Sequence, residues 1–273
     1  HDSAVWPADQ DYLRPIMATA FLVVIPMMAV FAVLRCPMTF DRFRSMSIVK
    51  ALVLCTMVDS FIFVWASAIL LFGVGTSFSG AACSVAIIWC ITFYASSKVF
   101  IYLFLMERVH LVHQYTVAGR LSRFRSPWYR ASSVFFVLWL GVVVVMAIGR
   151  IAELRATDGA CIIGLKIYAT VPMLVVDAAV NIFLTTAFVV PIARSQFHKA
   201  RRLARNSCIA AVAALVTSFA NIVVLSVQHG HQTSYVCLAS CGIDVVVNSA
   251  IIFIITCGDR DGGDSSDITS VQH

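Results

Sequence analysis

Of the 273 residues, 60% are hydrophobic and 12% charged, and the mean hydropathy is +0.89. A water-soluble domain carries about 25% charged residues, so this composition excludes a soluble globule and makes lipid the solvent for most of the chain. The formal charge of +6 is spread in short clusters between apolar runs rather than over one face, which excludes nucleic acid as a partner.

The opening residues 1–10 hold no apolar core of a secretory signal. A hydrocarbon layer about 30 Å thick takes roughly 20 apolar residues of helix to cross. Seven stretches meet that length: 16–34, 51–74, 83–105, 131–149, 167–192, 208–227 and 233–257. Helix is the expected form, because in lipid each backbone polar group must be bonded within its own segment. A β-barrel would alternate apolar and polar residues, and the run 141–146 (Gly-Val-Val-Val-Val-Met) does not. The expected fold is all-α: a seven-helix transmembrane domain over residues 1–257, then a disordered acidic tail over 258–273.

Orientation follows from the basic residues between spans. The first, third and fifth loops hold 14 Lys and Arg, and the opposite side holds 4. The odd loops are therefore expected in the cytosol, with the N-terminus outside and the C-terminus inside. The expected location is the plasma membrane.

An ionisable side chain at mid-bilayer costs at least about 2.5–3.5 kcal/mol on insertion scales. Asp59 in the second span, Lys98 in the third, Asp177 in the fifth and Asp244 in the seventh each ask for a reason. Ser96, Ser97, Asn181, Asn221 and Asn248 add uncharged polar groups. Asp244 and Asn248 are four apart and share a helical face. Asp59 and Ser97 join them in one buried polar or cation site if the second and seventh helices are neighbours. The plainer reading is that these groups tie helices together at about 0.6 kcal/mol each. Lys98 either pairs with an aspartate or snorkels along its stem.

Of nine Cys, six lie in or at the ends of spans (Cys55, Cys90, Cys208, Cys237, Cys241 and Cys257), where Cys acts as a small hydrophobe. Cys257 meets the inner leaflet and is a candidate for palmitoylation. Cys83 and Cys161 both fall on the outer side, which is oxidising enough to keep a disulfide, and they are expected to be bridged. The inner end of the third span reads Glu107-Arg108-Val109-His110, taken alone an ordinary charged helix end.

Together these features resemble the rhodopsin-like G-protein-coupled receptors. That family sets a third-helix Cys 25 residues before the Arg of an acid-Arg-aromatic motif, as Cys83 stands to Arg108. Asp59 and Ser97 match its second- and third-helix sodium ligands, Trp139 its fourth-helix tryptophan, and Asp244 and Asn248 its seventh-helix polar pair. Val109 replaces the motif's aromatic residue, Ser249 the seventh-helix proline and Ile252 the tyrosine, and the sixth helix lacks the Cys-Trp-x-Pro hinge. The segment 98–110 is also similar to uncharacterised seven-helix membrane proteins of fungi.

The resemblance implies a receptor for an extracellular ligand, with Glu107 and Arg108 as an inner lock for a heterotrimeric G protein. It implies a cation-sensitive hub at Asp59, Ser97, Asp244 and Asn248, with no cofactor. The alternative is an ion or proton transporter that uses the buried acids and Lys98. A microbial retinal protein needs a seventh-helix lysine, and 233–257 has none. Zinc-protease, nucleophile-elbow and phosphate-loop motifs are absent, so an enzyme is not expected.

Overall fold

The computed structural model describes residues 13–35, 48–77, 79–116, 127–155, 159–193, 212–221, 223 and 232–267. Six helices among them are long and apolar enough to cross a membrane. They are α1 (Leu13–Arg35), α2 (Ile48–Ala68, extended by a π-helical turn over Ile69–Val74), α3 (Gly80–Thr116), α4 (Pro127–Ile148), α5 (Ile167–Ala193) and α7 (Ser234–Asp267). Between α5 and α7 comes α6, a shorter apolar helix described over Val212–Asn221. The rest of the expected sixth span lies outside the described residues, as do most of the basic loops, residues 36–47, 117–126 and 194–211.

The burial pattern is inverted relative to a soluble protein. Leu22 of α1 is 72% exposed and Ile167 of α5 is 78% exposed, while Lys98 of α3 is 2% exposed. Apolar side chains on the outside and charge within fit a hydrocarbon solvent, because each lipid-facing polar atom would lose its hydrogen bonds. The chain is a multi-pass membrane protein.

Helix α3 organises the bundle. At 1.5 Å per residue its 37 residues extend about 55 Å, and it packs against α2, α4, α5 and α7. Trp139 of α4 is fully buried between Tyr94 and Tyr102 of α3. Helix α1, with Pro26 inside it, packs on α2 and reaches α7 through stacked Phe31 and Phe253 rings 4.3 Å apart. Ser60 and Ser249 hydroxyls lie 2.5 Å apart, so α2 and α7 are neighbours. Helix α2 ends where Gly75, at φ 78°, donates its N–H to Leu70 O. A positive φ carries no steric cost in glycine.

Two features depart from the sequence reading. The fold is all-α as expected, but it carries a small addition: β1 (Arg150–Leu154), β2 (Cys161–Leu165) and β3 (Gln232–Thr233) form an antiparallel sheet in the order β1-β2-β3. Ile163 of β2 pairs with Ala152 on one side and with Gln232 on the other. The backbone turns into this sheet at Gly149, where a Cβ would stand 2.9 Å from Ala169 Cβ. Helix α7 also runs through to Asp267, into residues 258–267 whose composition reads as disordered. Propagating a formed helix fixes one residue per added hydrogen bond, far cheaper than nucleating a new one.

Candidate functional site: a buried ionic cluster

Tyr94, Lys98 and Tyr102 recur every four residues and so line one face of α3. That face meets Asp177 of α5 and Asp244 of α7. Lys98 Nζ lies 3.3 Å from Asp177 Oδ1 and 3.6 Å from Asp244 Oδ2. Further bonds bring Ser218, Tyr102 and Asn181 into the cluster, while the Tyr94 hydroxyl and Asp244 Oδ2 make no hydrogen bond. Lys98 donates to Ser218 Oγ of α6, and Ser218 lies 2.9 Å from Asp244 Oδ1. The Tyr102 hydroxyl donates to Asp177 Oδ1, as does Asn181 Nδ2 at 3.2 Å. The Tyr94 ring stands 5.4 Å from Lys98 Nζ, within range of a cation–π contact. Lys98, Asp177 and Asp244 are each at most 2% exposed.

Four helices thus meet at one ammonium. Such a group survives in lipid because its charges are paired and hydrogen-bonded, and removing one partner from a buried pair costs about 3–5 kcal/mol. Any movement of α5, α6 or α7 away from α3 has to break some of this network.

The residues expected to form a cation site are divided between two places. Asp244 turns to Lys98 and Ser218, because an ion pair outweighs a contact with neutral Ser97. Asp59 takes a hydrogen bond from Ser96 Oγ at 2.7 Å, the neighbour of the serine expected there. Asp59 Oδ2, Ser97 Oγ and both polar atoms of the Asn248 amide are buried with no hydrogen-bond partner. Of the expected foursome, the structure therefore makes no hydrogen bond between Asp59 and Ser97, Asp244 or Asn248.

At the two ends of α3 lie the other expected groups. Cys83 and Cys161 form a disulfide that ties α3 to β2 across a sequence separation of 78. At the far end Glu107 is buried, and the Arg108 guanidinium stands 5.2 Å from the Phe104 ring. His110 meets the Tyr129 ring of α4 at 5.9 Å. The side chain of Cys257 lies outside the described residues. Sequence reasoning missed Tyr102 and Ser218 as members of the cluster; the four-residue spacing of Tyr94, Lys98 and Tyr102 was the available signal. No family model matches the chain, and no curated protein matches it.

Proposed function

We propose that this protein is a seven-helix receptor that senses an extracellular ligand and signals to a cytosolic G protein. The observation that carries this reading is the course of α3. One helix is bridged to a loop strand at Cys83, held at Lys98 by partners on α5, α6 and α7, and carries Glu107-Arg108 in its far part, ahead of its end at Thr116. A ligand that favours a different packing of α5–α7 against α3 would shift the balance between two helix arrangements and expose the Arg108 end.

In this reading the apolar stretch 208–227, of which α6 (Val212–Asn221) is the described part, is the seventh crossing. The disulfide argues that the Cys83 end faces the oxidising outside. The 14 basic residues of the odd loops then fall in the cytosol, which suits the plasma membrane.

Because the ligand is unidentified, the test opens the ionic cluster by mutation. Asp177→Asn should raise basal nucleotide exchange on a co-expressed Gα in membranes, and adding Arg108→Ala should abolish it at equal surface expression. If neither wild type nor Asp177→Asn stimulates any Gα class, the receptor reading fails.

A second reading, an ion or proton transporter, draws on the unpartnered Asp59 Oδ2, Ser97 and Asn248, polar atoms that a passing cation or water would satisfy. Cation or proton flux in liposomes, lost in Asp59→Asn, would favour it.

A further inference from the structure

A second cluster on α3 lies two turns from Lys98. Cys90 faces Cys237 and Cys241 of α7, which are four residues apart and share a helical face. Cys90 Sγ is 2.7 Å from Cys241 Sγ and 3.8 Å from Cys237 Sγ, and all three sulfurs lie within 4.8 Å of one another. All three residues are buried.

As small hydrophobes these cysteines would need only van der Waals contact. Three thiols from two helices converging within 4.8 Å is more than such contact requires, and the Cys90–Cys241 sulfurs are not at the 2.03–2.05 Å of a disulfide bond. Asn221 of α6 adds an independent observation. Its Nδ2 donates to Cys241 Sγ at 3.9 Å. An N–H donor on that sulfur favours its thiolate form, the form that binds metal.

We propose that Cys90, Cys237 and Cys241 form an intramembrane binding site for a thiophilic monovalent cation of the Cu(I) type. Thiolates select soft metals. A closed zinc site takes four ligands, whereas the described residues gather three sulfurs here, a set suited to three-coordinate Cu(I). A metal–sulfur bond of about 2.3 Å sets the sulfurs of a trigonal site about 4 Å apart. The Cys90–Cys237 spacing already matches, and Cys241 has to swing away from Cys90 by about 1 Å to reach that spacing. Each thiol that binds as thiolate gives its proton to water, and no electron is transferred.

The test uses the full chain in detergent with Cu(I) held reduced by ascorbate, which leaves the Cys83–Cys161 bridge intact, and a Cu(I) chelator as competitor. Wild type should retain one copper per chain. Cys237→Ala or Cys241→Ala should weaken retention by at least about 10-fold, the lower bound seen even for outer-shell partners of metal ligands, and Cys55→Ala should change nothing. Because an alanine variant can also lose copper by failing to fold, the wild-type Tm is measured as well and should rise with Cu(I). The proposal is overturned if wild type yields copper as readily as the triple alanine variant with no change in Tm. It is equally overturned if peptide mass spectrometry finds Cys90 and Cys241 joined as a disulfide in the purified protein. Copper retention is read without any G protein, so this site and the receptor reading fail separately.

Discussion

Lys98 and Asp59 both sit mid-span in one bundle, yet their surroundings differ in kind. Lys98 is met by two carboxylates and a hydroxyl from three other helices. Asp59 is met by one serine on the adjacent helix and keeps a carboxylate oxygen without a partner. A closed network resists change, since loosening any member leaves a charge unpaired in a medium of low polarity. An open one leaves bonding capacity for something small and exchangeable. The difference is one of charge pairing: Asp244 Oδ2 also lacks a hydrogen bond but faces the Lys98 ammonium, whereas Asp59 Oδ2 faces no cation among the described residues.

The comparison breaks most readily at Lys98. Lys98→Met leaves Asp177 and Asp244 close together without a cation, and the expected loss is about 3–5 kcal/mol, read as a large fall in Tm in detergent. An unchanged Tm would show that the cluster holds nothing. A scale for that loss comes from Cys83→Ser with Cys161→Ser, which should cost about 2–5 kcal/mol in the same assay. Neutralising the whole cluster (Lys98→Met with Asp177→Asn and Asp244→Asn) should recover most of what Lys98→Met loses, because no lone charge is then left behind. Smallest of all, Asn248→Ala or Ser97→Ala should cost no more than about 0.6 kcal/mol, the average for a polar side chain between membrane helices. Replacing choline with sodium should raise the Tm of wild type and leave Asp59→Asn unmoved. Should Asn248→Ala cost as much as Lys98→Met, the two regions do not differ as described.

The long helices were legible because bilayer thickness imposes a length on each apolar run, and six of the expected spans fall almost wholly within a helix of membrane length. The Cys83–Cys161 bridge was legible because redox chemistry distinguishes the two sides of a membrane. The partners of Lys98 were not. A sequence gives the faces of a helix but not the rotation at which neighbours meet, so Asp177 and Asp244 were equal candidates. Asp244 was grouped with Asn248 on their shared face, and the choice of partner fell instead to the stronger electrostatic attraction of Lys98. The sheet was missed because five-residue runs such as Cys161-Ile-Ile-Gly-Leu165 sit between far stronger helical signals. The thiol cluster joins Cys90 to residues 147 and 151 positions away, a pairing that packing alone decides.

Strand β2 is buried along all five of its residues, held between β1 and β3 and anchored to α3 by a covalent bond. With Ile162 and Ile163 buried where β2 meets α3 and α7, the strand acts as a clasp: both the cross-link and the strand pairing must fail before that end of the bundle can splay.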